Sequence, residues 1–218
     1  MIAERKLFET KKKLAVGLAA DVAACLSNAI TDRGKALLAV SGGTTPTLFF
    51  NFLARVKIDW SRVTITLVDE RCVPETDERS NARLVRENLL EAEAAAATFV
   101  PLFGKGHADR LGPFDVVTLG MGNDGHTASF FPGGDNLAAA LELEGTKRIV
   151  TMSAPGVPEK RMTFTLPVLL DSGFIALHIE GPEKQKTLAA AEGAGPVKDM
   201  PIRAVLRARE PVVLYWCP

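Results

Sequence analysis

In the segment GMGNDGHTASFFPGG, Gly120 to Gly134, an aspartate and a histidine stand two residues apart among glycines. Histidine titrates near neutrality, so a neutral ring can take a proton from water and pass it on, and a nearby carboxylate can orient the ring and stabilise its charged form. Asp124 and His126 are therefore candidates for general acid/base work, with glycines that let the backbone approach a substrate closely. A loop histidine bonded to its own turn would carry the same letters, and residue chemistry alone leaves both readings open. The segment also spells G-x-G-x-x-G. A dinucleotide site, however, needs a helix that starts within the glycines and an acid about 20 residues on, at the end of the next strand. Pro132-Gly133-Gly134 leaves little room for that helix, and Glu142 and Glu144 fall in a helical pattern.

Other clusters could complete a site. SGGTTPT, Ser41 to Thr47, follows an apolar run and precedes helix-compatible sequence, so the amides and hydroxyls of Ser41, Gly42, Gly43, Thr44 and Thr45 would converge where a phosphate could sit. No Gly-Lys-Ser/Thr follows, so a nucleoside triphosphate is not implied. A tight strand-to-helix turn is the plainer reading. VDERCVP, Val68 to Pro74, loads a strand end with Asp69, Glu70 and Arg71; the guanidinium could hold an anion or an oxyanion, and a surface ion-pair cluster is the alternative. Arg161 and Lys184 could complete a phosphate pocket, although each alone reads as a solvated charge.

Metal chemistry has little support, because His107, His126 and His178 lie on different segments without ligand spacing. His178 alternates within an apolar strand and reads as a packed core residue. Cys25, Cys72 and Cys217 are widely spaced and suggest reduced thiols, with Cys72 a bystander beside its charged neighbours rather than a nucleophile. No G-x-S-x-G elbow nominates a serine. An acid/base site with an anion pocket remains.

Elements must carry these clusters to one place. Continuous apolar runs at Leu37–Ser41, Val63–Asp69, Phe99–Phe103, Asp115–Met121, Arg148–Ala154, Phe174–Gly181 and Val212–Trp216 read as buried strands. Helical patterns lie over Leu7 to roughly Ala29, Pro46–Arg55, Asn81–Ala96 with Ser80 as cap, Leu137–Leu143, Pro167–Asp171, Glu183–Ala191 and Ile202–Ala208. The alternation predicts an α/β fold with a mainly parallel sheet covered on both faces, and ligands beyond the carboxyl ends of its strands. Residues 104–113 and 193–196 read as surface loops.

The 218 residues are 47% hydrophobic and are expected to form one domain, 1–218. Lys plus Arg and Asp plus Glu are 26 each, which gives no broad basic footprint for nucleic acid and favours a small-molecule or protein partner. The N-terminus lacks a secretory core, and no continuous run reaches the roughly 18 apolar residues of a membrane span, so a cytoplasmic protein without membrane attachment, monomer or homodimer, is expected.

Taken in order, SGGTTP, VDERCVP with SNARLVRENLL, GMGNDGHTASFFPG, RMTFTLPVL and IEGPEKQKTL resemble the 6-phosphogluconolactonases of the short bacterial type, from about Ser41 to Leu188. The resemblance implies a three-layer α/β/α sandwich shared with sugar-phosphate isomerases and deaminases, and hydrolysis of 6-phosphoglucono-δ-lactone without a cofactor. It also implies His126 as the base, Asp124 and Asp69 as orienting groups, Arg71 as an oxyanion donor, and Ser41 to Thr45 with Arg161 and Lys184 around the phosphate. The carboxylate that serves His126 stays open among Asp69, Glu70 and Asp124. Glucosamine-6-phosphate deaminases are the rival. They resemble G-x-DGH-x-AFNEP with Asp-Glu-Tyr after the second strand, where this sequence has Phe131 and Arg71. A non-catalytic sugar-phosphate sensor would keep the same loops. Cys72 departs from the lactonase pattern, where an aromatic is common.

Overall fold

The computed structural model describes residues 1–104 and 107–218; Lys105 and Gly106, within the expected 104–113 loop, lie outside the described residues. Seven strands form one sheet, β1 (Ile2–Leu7), β2 (Ala36–Val40), β3 (Val63–Leu67), β5 (Thr98–Val100), β6 (Val116–Leu119), β9 (Ile175–Glu180) and β10 (Val212–Cys217). Their order is β1-β10-β9-β6-β2-β3-β5, with every neighbouring pair parallel. The inner strands read as unbroken apolar runs because helices cover both of their faces: Leu38, Ile65, Val116 and Leu177 are all fully buried.

The longest helix, α1 (Lys11–Arg33), starts at Thr10, whose side chain accepts from the Lys13 amide, and ends at Gly34 in the left-handed conformation. Leu14, Leu18, Val22, Leu26 and Ala29 recur at helical spacing and are buried. By length and composition alone α1 would also pass for a membrane span. In this fold it packs on β2, β6, β10 and α2 (Thr47–Leu53).

Several expectations shift. Helical character was expected from Leu7, but Ile2–Leu7 is a strand. It lies at the sheet edge, where the charged Glu4, Arg5 and Lys6 suit an exposed rim and hide the apolar signal of a strand. The helix expected over Asn81–Ala96 is α3 (Asn81–Asn88) followed by a short 3-10 turn. The remaining helices, α4 (Leu137–Leu141), α5 (Leu166–Leu170), α6 (Pro182–Glu192) and α7 (Ile202–Leu206), fall where the periodicity puts them.

The main departure is a second, antiparallel sheet with order β4-β8-β7, built from β4 (Asp69–Arg71), β7 (Ile149–Met152) and β8 (Arg161–Phe164). Val63–Asp69 reads as one strand, yet the chain leaves the main sheet after Val68, whose amide still bonds Val40 O at 2.9 Å. Asp69 and the two residues after it then pair with β8. Arg148–Ala154, expected in the parallel sheet, pairs there too.

Candidate functional site

The strand order reverses at β2. The chain runs outward from β2 through β3 to β5, then returns to lay β6 on the other side of β2. Loops that follow β2 and β6 therefore diverge and leave a crevice at their carboxyl ends, the usual ligand position in such a sheet. Ser41 bridges its base: its Oγ donates to Thr118 O at 2.9 Å and accepts from the Gly120 amide at 3.2 Å. The Ser41 hydroxyl is thus engaged in holding the two loops together.

After β6 the chain turns tightly, with the Gly122 amide on His126 O at 2.9 Å and Thr127 Oγ1 on Gly120 O at 2.7 Å. No helix follows Gly125, as a dinucleotide fingerprint would require. Asp124 Oδ1 lies 2.6 Å from His126 Nδ1 and also accepts the His126 amide at 3.1 Å. Partial burial pushes the Asp124 carboxyl up, but hydrogen bonding and the charge of His126 outweigh it and hold the acid below its ordinary range. An ionised carboxylate only accepts, so Nδ1 carries a proton, and whenever the ring is neutral Nε2 keeps its lone pair. The ring packs on Phe131, with centroids 4.5 Å apart. A Cβ on residue 122 would fall 2.2 Å from His126 Nδ1, so the ring occupies a place that only glycine leaves open. Ala128, in a left-handed conformation at φ 49°, adds backbone strain beside it.

The second sheet supplies the opposite wall. Arg71 on β4 is paired directly with Arg161 on β8 in the strand register, and the charge of Arg71 acts against that of Arg161. Arg71 Nη1 donates to Arg79 O at 2.7 Å and to Asn81 Oδ1 at 2.6 Å. Arg161 Nε is buried without a hydrogen-bond partner, and the guanidinium lies 5.6 Å from the centre of the Phe131 ring. Burial pulls the Arg161 pKa down against the charge of Asp69.

The three carboxylates divide their work. Asp124 serves His126, whereas Asp69 accepts from Ser129 Oγ at 2.6 Å. Glu70 takes the amides of Arg71, Asn81 and Ala82 at 2.7, 2.8 and 2.7 Å, and so anchors the start of α3 to β4. Burial pushes its pKa up while these amides pull it back. Cys72 lies beside the site, but burial raises its thiol pKa, which disfavours a nucleophilic thiolate.

A cavity of about 300 Å³ lies between these walls, and it is lined by Ser41 to Pro46, Asp69, Arg71, His126, Arg161 and Lys184. Of the expected site residues only Asp124 is absent from its wall, since it stands behind the histidine. The amides of Gly42, Gly43, Thr44 and Thr45 donate to no protein acceptor among the described residues. Lys184, the third residue of α6, forms no ion pair among the described residues, and burial lowers its pKa while Glu180 counters.

Other lining residues were not assigned to the site from the sequence, among them Asn81, Phe131 and His178. Asn81 holds Arg71, bonds Asp69 O at 2.9 Å, and lies so close to the phosphate loop that a Cβ on Gly42 would fall 1.9 Å from its Oδ1. Its position just inside a Ser-capped helix was the available clue. Phe131 separates His126 from Arg161; in sequence it marked only the place where the deaminases differ. His178 is buried as expected, yet its ring also reaches the cavity wall and places Nε2 3.2 Å from Glu180 Oε1. Among the described residues no group of three or more His, Cys, Asp or Glu could hold a metal ion.

Comparison with known proteins agrees with this architecture. The family model described as glucosamine-6-phosphate isomerases/6-phosphogluconolactonase matches residues 9–216. The chain is 51% identical to the 6-phosphogluconolactonase of Rhizobium meliloti, with 100% of both chains covered. It is 49% identical to that of Mesorhizobium japonicum, covering 97% of this chain and 94% of the other. A crystal structure of a 6-phosphogluconolactonase from Shewanella baltica superposes with a TM-score of 0.94 at 40% identity, covering 99% of this chain and 97% of that one. A monomeric glucosamine-6-phosphate deaminase shares the fold alone, with a TM-score of 0.78 at 19% identity. The chain belongs to the glucosamine-6-phosphate isomerase/6-phosphogluconolactonase family.

Proposed function

We propose that the chain hydrolyses 6-phospho-D-glucono-1,5-lactone to 6-phospho-D-gluconate, with His126 as the base that activates water. The observation that carries this reading is one cavity bounded by an Asp-oriented imidazole at one side and by Arg71, Arg161 and Lys184 at the others. Such a cavity suits an anionic substrate with a neutral electrophilic carbonyl.

In the first step Nε2 of His126 takes a proton from water as the water oxygen attacks C1, giving a tetrahedral oxyanion and an imidazolium held by Asp124. In the second the C1 to ring-oxygen bond breaks, the oxyanion collapses to the carboxylic acid, and the imidazolium protonates the leaving alkoxide. Water is the nucleophile, so no covalent enzyme intermediate forms. Asp69, tied to Ser129, orients neighbouring groups rather than attacking.

The contacts favour a division of the arginines that reverses the sequence expectation. Arg71 is joined through Asn81 to the Gly42 loop and suits the phosphate, together with the free amides of residues 42–45 and Lys184. Arg161 shares Phe131 with His126 and suits the oxyanion. The two roles separate kinetically. Arg161→Lys should lower kcat more than it raises KM, and Arg71→Lys the reverse, because one contact strengthens only in the transition state and the other is present throughout.

The deciding assay measures acid release from 6-phosphogluconolactone beside ammonia release from glucosamine 6-phosphate. Turnover of the lactone alone is expected. Ammonia release would favour a deaminase, and binding without turnover of either would favour a sensor.

A further inference from the structure

Lys184 has a carboxylate for a near neighbour, yet it forms no ion pair with it. Glu180, one strand end away on β9, acts on Lys184 through its charge but spends both oxygens elsewhere. Its Oε1 accepts from His178 Nε2 at 3.2 Å, and its Oε2 accepts from Lys11 Nζ, at the start of α1, at 3.0 Å. The hydrogen bond from His178, against the opposing effect of burial, holds the Glu180 carboxyl below its ordinary range. Its side chain is only 12% exposed, so few rotamers are open to it.

We propose that His178 and Lys11 are positioning residues that clamp Glu180 and keep it from pairing with Lys184. The clamped carboxylate is near enough to offset part of the cost of a half-buried ammonium, and restrained enough to leave all three N–H donors to an incoming phosphate. This rests on the reading of Lys184 as a phosphate ligand. Released, Glu180 would swing onto Lys184 and compete with the substrate anion, so the clamp acts on affinity for the phosphorylated end and not on the chemical step. Lys11 carries the cleaner test, because it is 63% exposed and absent from the cavity wall. Any effect it has on substrate must pass through Glu180.

The test is a double-mutant cycle on the full chain, read as KM and kcat for the phosphorylated lactone and as inhibition by inorganic phosphate. Lys11→Met should raise KM and the phosphate inhibition constant about twofold to fivefold, the scale of a partly exposed ion pair, with kcat nearly unchanged. His178→Phe should do the same or more, and His178→Gln, which keeps an N–H donor, should restore much of the loss. In a Glu180→Gln background Lys11→Met should have no further effect, because the competing charge is gone. An unchanged KM in Lys11→Met, or an equal rise with and without Glu180, would overturn the clamp. Lys184→Met is the control: if it leaves KM unaltered, the phosphate assignment itself fails, and the clamp falls with it.

Discussion

The histidine and its aspartate form the smallest unit of this site, and what matters at that scale is which nitrogen holds the proton. Asp124 fixes it on Nδ1, so the lone pair faces away from the carboxylate. His126→Ala should lower kcat on the order of 100-fold or more, measured by acid release at saturating lactone. Asp124→Asn should cost less, because an amide can still bond the ring, but it can present its NH2 to Nδ1 and favour the unproductive tautomer. The same pair bears on stability. Because the folded Asp124 carboxyl titrates below its ordinary value of 3.8, its contribution is complete above that pH and is lost as pH falls through the lower folded value. The stability gap between parent and Asp124→Asn should therefore close in acid; a gap that widened below pH 3.8 would contradict the pairing.

At the scale of elements, the short β4 strand decides the site. It carries Asp69 and Arg71 out of the main sheet, and Glu70 binds it to the start of α3 through the amides of Asn81 and Ala82 while also accepting the Arg71 amide. Removing that carboxylate in Glu70→Ala would leave buried donors unpaired, at about 1–3 kcal/mol for each one left without water. It should lower the denaturation midpoint and also reduce kcat/KM, since Asn81 and Arg71 move with the helix. Gly42→Ala tests the same joint from the other side. Its Cβ would meet Asn81, so Asn81→Gly should recover part of the activity lost in Gly42→Ala. Single changes that simply added would rule out this contact as the cause.

Across the whole molecule, the site gathers positive charge that the fold alone does not need. Burial lowers the Lys184 pKa from 10.5, so the unfolded chain binds more protons in the interval between the two values and stability rises with pH there. Below the folded value the charged lysine is a net cost. Lys184→Met should therefore melt higher than the parent at neutral pH, with the advantage shrinking as pH approaches 10.5, while affinity for phosphate falls. Such an exchange of stability for binding is expected where a site holds unpaired charge. The product, 6-phosphogluconate, should reverse the cost in the parent: at about 100 times its Kd it adds roughly 2.7 kcal/mol, read as a rise in melting temperature.

The sequence by itself determined the α/β alternation, the parallel apolar strands, the Ser80 cap, the loop that bears Asp124 and His126, and the nomination of Arg71, Arg161 and Lys184. Those signals are local: periodicity, capping chemistry and residue type are all legible within a few positions. Tertiary structure alone decided that β4 leaves the main sheet after Val68, that Arg71 lies opposite Arg161, that Asn81 joins Arg71 to Gly42, and that His178 and Lys11 share Glu180. Each of these includes a pairing between residues far apart in the chain. Such pairings are selected by the packing of the whole fold, and no local pattern in the sequence encodes the choice of partner.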